Sequence, residues 1–291
     1  MRFLTTVSAA ALLAIAGSQS QAADLSGPIE PAAAPMPELS AVLSLWAGAA
    51  FLDSNDSQFD EDVYFTFGGD ARFSGQSWQL EITGAHISNT DDTSGDESEG
   101  SEWFAGAGHW LNRSPERTWG LFAGASSTGF QDSNDHAVHV FGGLEGAWFA
   151  GQNTFYGQLG GVWAAYGDTT DTWEAGPFGR LGMRHFFTEY SKLEADVMAG
   201  YGKFDSNDNG WTAAWGVEYE RQLMSNPFSL FGAYRGHYVE DSDNNDMVDH
   251  VFTLGVRVDV GTDNLLERDR YGAGTFNIPD FQRAFSFPDD L

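Results

Sequence analysis

His86 and Ser88 stand two residues apart in the stretch His86-Ile87-Ser88-Asn89. On a β-strand that spacing puts both side chains on one face, where an imidazole base could activate a hydroxyl nucleophile. A second stretch, Asp205-Ser-Asn207-Asp-Asn209-Gly210, matches the opening of a Ca²⁺ loop, with side-chain oxygens at alternate positions. The bidentate Glu that should close such a loop is replaced by Gly216, and a hairpin turn explains the same residues. Weak Ca²⁺ or Mg²⁺ binding at acidic loops is therefore the expectation, with no dedicated metal site. No Gly-rich phosphate cradle or zinc spacing accompanies these stretches, and no cofactor is expected.

The elements that must position such residues are strands. From Asp62 to Ser88, Val63, Phe65, Phe67, Ala71 and Phe73 share one parity, while Tyr64, Thr66, Asp70 and Arg72 share the other. After a Ser74-Gly75-Gln76 turn, Trp78, Leu80 and Ile82 alternate with Gln79, Glu81 and Thr83. Period two with a short Gly-containing turn predicts an antiparallel hairpin. Each arm has about 11 residues, the length with which a tilted strand crosses a bilayer. Twelve such segments are predicted; in the last, Phe252, Leu254, Val256, Val258 and Val260 oppose Thr253, Arg257 and Asp259.

Connections of two kinds alternate between these segments. Those after odd-numbered strands are long and acidic, such as SNTDDTSGDESEGSE, and those after even-numbered strands are mostly short, such as SGQ. About half of the 42 acidic residues fall in the long set, where Lys and Arg are nearly missing. An up-and-down transmembrane β-barrel with short periplasmic turns and long outer loops sorts its connections this way. The acidic mouth so formed attracts cations and repels anions within a Debye length.

Residues 1–22 read as a secretory signal peptide, with Arg2, an apolar run from Phe3 to Ala16 and a small-residue site ending at Ala22. A Pro/Ala-rich leader occupies 23–39, the barrel 40–261 and a periplasmic tail 262–291. The chain has no cysteine, so disulfides contribute nothing to its stability. Its formal charge of −28 excludes nucleic acid as a partner, because phosphates demand a basic surface.

With the apolar parity facing lipid, the opposite parity faces a lumen. It carries Asp70, Arg72, Glu81, His109, His139, Glu145, Glu174, Arg180, Arg184, Lys192, Glu194, Asp196, Glu218, Glu220, Arg235, His237, Arg257 and Asp259. An Arg on the lipid side at mid-membrane costs about 2–4 kcal/mol, so the lumen is where such charges belong. They line a water-filled pathway and set its selectivity, or they pair across a narrow bore and close it. Most of the ten tryptophans fall near strand ends, as interfacial girdles require. A sugar-stacking platform is the alternative for these rings.

The signal peptide, the alternating strands, the Gly and aromatic content and the loop asymmetry resemble the Gram-negative outer-membrane β-barrels of the porin-like class. That resemblance implies a non-enzymatic, narrow channel for ions or small solutes. It also implies outer-membrane lipid, lipopolysaccharide and the barrel assembly machinery as partners. His86-Ile87-Ser88-Asn89 is similar to the His-x-Ser-Asn element of outer-membrane phospholipase A and lipid A deacylase barrels, which makes lipid hydrolysis by His86 and Ser88 the alternative. A closed structural or adhesive barrel with cation-binding loops is the third reading. The chain departs from the class in lacking an aromatic terminus on its last strand. Either the tail lies in the periplasm, or 276–287 folds back to plug or brace the barrel mouth.

Overall fold

The computed structural model describes residues 37–54, 63–89, 100–130, 136–166, 174–203, 209–223, 226–240 and 246–279. The alternating segments form twelve strands. They are β1 Ser40–Ser54, β2 Val63–Ser74, β3 Trp78–Asn89, β4 Gly100–Arg113, β5 Arg117–Phe130 and β6 His136–Ala150. There follow β7 Asn153–Tyr166, β8 Ala175–Thr188, β9 Ser191–Lys203, β10 Asn209–Gln222, β11 Phe228–Glu240 and β12 Asp246–Val260. Each pairs antiparallel with its sequence neighbours, and β1 pairs with β12 to close the barrel. Closure leaves no sheet edge, so every wall strand has its backbone polar groups paired on both sides.

The closing seam shows how sequence sets orientation. Leu45 sits opposite Val256 and Ala47 opposite Leu254, with Leu45, Leu254 and Val256 all exposed on the outer surface. One residue along, Arg257 faces inward and is 7% exposed. A one-residue slip would exchange those environments, which is why the alternation fixes register so firmly. The outer face is apolar all round the barrel. At the short-turn end it carries Trp78, Trp110, Trp119, Trp148 and Tyr219, and towards the other end Trp163, Tyr166, Tyr201 and Trp211.

This orientation gives a direct expectation. Leu254 lies mid-strand and is 75% exposed on the outer face. Leu254→Arg costs about 2–4 kcal/mol in a bilayer, measurable as a lowered urea midpoint in lipid vesicles. An unchanged midpoint would mean that the outer face is not lipid-facing.

The interior is filled as well as enclosed. Phe122, Phe141, Phe178 and Met198 cluster with Val162 and several alanines across β4 to β10, and Ile278 joins them from the far end of the chain. That last residue belongs to the segment after β12. Gly261, with φ of 91°, turns the chain away from the wall, a left-handed conformation that favours glycine. A short helix follows, α1 Leu265–Tyr271, capped by Asn264, whose side chain accepts from the Glu267 N–H at 2.8 Å. Leu265 and Leu266 pack on Phe186, and the chain runs on, buried, through Phe276 and Ile278.

The placement of 262–291 as a periplasmic tail is corrected for its described part, because residues 265–279 lie within the barrel. The insertion begins before the 276–287 stretch considered for a plug. Sequence pattern alone cannot show it: the helix has only 7 residues, and its partners are distant in the chain. The signal peptide, nearly all of the leader and much of the long acidic connections lie outside the described residues.

Candidate functional site

The inner face is built by the polar parity of the strands, and its charges form two clusters that share Glu194, with further pairs around the wall. At the first, Arg257 on β12 reaches β10 and donates to Glu218 at 2.6 and 2.8 Å and to Glu220 at 2.7 Å. It also lies 3.9 Å above the Phe231 ring on β11. Glu220 further accepts from Ser229 at 2.5 Å, and Lys192 Nζ stands 3.0 Å from Glu194. At the second, Asp196 on β9 bridges two arginines, Arg180 at 3.1 Å and Arg235 at 2.7 Å. Arg184 pairs with Glu194 at 3.1 Å and stacks over Tyr156. Around the wall, Arg72 donates to Asp70 at 2.8 Å, and the His109 ring meets Glu145 at 2.8 Å.

Charges taken this far from bulk water persist only when paired and hydrogen-bonded. The repeated sharing of one carboxylate by two cations meets that requirement. The strands supply the geometry: residues i and i+2, such as Glu218 and Glu220, project to the same side and can grip one guanidinium together.

The C-terminal segment is bound into this frame. Arg268 of α1 donates to Glu220 at 2.5 Å, and Asp269 accepts from Arg184 and from Thr154, each at 2.6 Å. Arg113 at the end of β4 donates to Thr275 at 2.6 Å and to the carbonyls of Arg270 and Gly272. Arg270 donates to the Gly151 carbonyl in the β6–β7 turn. Further in, Gln79 donates to the Phe276 carbonyl at 2.6 Å, Gln158 to the Asn277 carbonyl at 3.1 Å and Arg180 to the Asn277 side chain at 3.0 Å. Glu81 accepts from the Ile278 N–H at 2.8 Å, and Phe276 stacks against His109. These partners come from five strands and a turn, so the segment is a seated plug that spans the bore at the short-turn end.

Beyond the plug lies a cavity of about 180 Å³, with Asn277, Ile278 and Pro279 on its lining. Asp70, Arg72, Glu81, Arg180, Asp196, Glu218, Arg235, His237 and Arg257 contribute polar wall, and Trp46, Trp103, Met198 and Phe231 apolar wall.

The residues singled out from sequence fall as follows. Those named for the lumen from Asp70 to Asp259 occupy the inward parity; most are fully buried, with His139 on β6 and His237 on β11 among them. Glu174 stands apart. It precedes β8 at the long-loop end, half-buried, and its backbone bonds to Lys203 and Ala164. His86 faces outward, 3.3 Å from the exposed Glu102 and against the Phe67 ring. Ser88 lies at the end of β3, and its side chain is outside the described residues. Asp205 and Asn207 are outside them too, while Asn209 begins β10.

Trp46 and Trp103 depart from the girdle reading, since both point into the bore. Their parity already said so, because Trp46 alternates in step with Ser44, and Trp103 with His109. Gln79, Arg113, Gln158, Phe231, Arg268 and Asp269 went unread as site residues, because their partners are brought together only by closure and by the returning tail.

The fold has solved counterparts. The chain overlays an outer membrane channel from Pseudomonas putida F1 with a TM-score of 0.53 at 11% identity, covering 81% of this chain and 100% of that one. Looser likenesses are a deletion mutant of the TodX monoaromatic hydrocarbon channel (TM-score 0.46, 10% identity, 81% and 93% covered) and the KdgM porin (TM-score 0.44, 9% identity, 74% and 98% covered). No protein-family model and no curated protein sequence matches the chain. The first likeness, with the closed twelve-stranded wall, shows that the chain shares the β-barrel fold of that channel.

Proposed function

We propose that the protein is a narrow, porin-like channel of the Gram-negative outer membrane, passing ions or small solutes. The observation that carries this reading is the polar-walled cavity inside a closed barrel whose outer face is apolar. A purely structural barrel can fill its centre with side chains, whereas this one keeps room beside partly accessible guanidinium groups. In this reading the acidic long connections form a cation-attracting outer mouth, surrounded by lipid and lipopolysaccharide and able to collect Ca²⁺ or Mg²⁺ weakly. The plug lies at the periplasmic end and restricts the route.

Planar-bilayer recording tests the proposal. Pure protein is expected to give small, discrete current steps. A silent bilayer after verified insertion would sink the channel and favour the closed structural barrel. Nothing described around His86 adds an orienting partner beyond the exposed Glu102, so the hydrolase reading gains no support.

A further inference from the structure

The cavity above the plug holds acids and bases in similar number, but they do not present themselves equally. Its two least buried charged side chains are both guanidinium groups, Arg235 at 23% and Arg72 at 12%. Of the carboxylates, Asp196 and Glu218 sit behind their cations with both oxygens engaged. Asp196 gives one oxygen to Arg235 and the other to Arg180, and Glu218 gives both to Arg257. Arg235 uses only Nη1 on Asp196, and Arg72 only Nε on Asp70. The planar fork of each therefore has N–H groups left for the cavity. Beside them stand the side chains of Trp46, Trp103 and Phe231.

We infer that this cavity is a binding site for a small organic anion, a carboxylate on an apolar or aromatic body, held by Arg235 and Arg72. The carboxylate takes donors that the wall leaves unspent, and the body covers apolar wall that water wets poorly. The chain's net charge of −28 does not oppose this. An acidic entrance slows an anion's arrival, while retention is set by the groups it meets inside. How the ligand reaches the cavity rests on the channel reading; that it binds there does not.

Isothermal titration of the full-length protein in detergent with benzoate, benzyl alcohol and benzylamine tests the site. Benzoate is expected to bind about tenfold or more tightly than either of the others, as a charge-assisted hydrogen-bond pair provides. Arg235→Gln is expected to weaken benzoate by a similar factor. The exchange leaves Asp196 paired with Arg180, so the wall keeps its neutralised carboxylate. Benzylamine binding as well as benzoate, no heat from benzoate, or wild-type affinity in Arg235→Gln would each overturn the site. If Arg235→Gln does not fold, the three-ligand series on the unaltered protein decides alone. Benzoate binding by a protein that carries no current would sink the channel and leave the site standing, and the converse result would do the reverse.

Discussion

Ending the chain at Gly261 is expected to raise single-channel conductance severalfold while the barrel stays folded. The segment removed holds α1 and the buried run through Ile278, which cross the bore near the short-turn end. Strand pairing from β1 to β12 does not depend on it. Arg113, Arg184 and Gln79 lose partners in the shortened chain. They are then bathed by the water that replaces the plug, so no bare charge is left in a dry interior. Conductance follows the narrowest cross-section, and the segment takes up bore that would otherwise hold water. The measurement is a paired bilayer recording of full-length and shortened proteins, with heat-modifiable gel migration as the control for folding. Equal conductance from two folded barrels would show that the plug does not limit the current.

The second large effect is at Glu220. This carboxylate is fully buried and is shared by Arg257, Arg268 and Ser229, with Lys192 3.4 Å away. Glu220→Ala removes an anion that joins wall and plug, leaving their cations to repel each other where water is scarce. Breaking a buried pair from one side costs about 3–5 kcal/mol. The loss should appear as a lower urea midpoint in vesicles. Adding Arg268→Met should recover part of it, since the second change removes one of the stranded charges. A midpoint for Glu220→Ala equal to that of the wild type would show that Glu218 alone neutralises the group.

How far the sequence announced this molecule depends on the range of the interaction involved. Alternation along Val63 to Phe73 and Trp78 to Ile82 is local, and it was enough to give strand, hairpin, lipid face and lumen face. The same parity placed Arg180, Asp196, Glu218 and Arg257 inside without any knowledge of their partners. The pairs themselves were not legible. Arg257 meets Glu218 across an intervening strand, and which acid takes which base depends on the tilt and closure of the wall. The plug was the least legible part: Leu265 to Tyr271 has neither strand alternation nor the length of an ordinary core helix. Its hydrogen-bond partners Gln79, Arg113 and Arg184 lie between about 80 and 200 positions away in the sequence.

That separation makes the berth of the plug a property of the assembled wall. The berth of the C-terminal segment is assembled from β3, β4, β7, β8 and β10 and from the β6–β7 turn. It therefore exists only where those strands stand together, and each of these contacts closes a chain loop of between 48 and 197 residues.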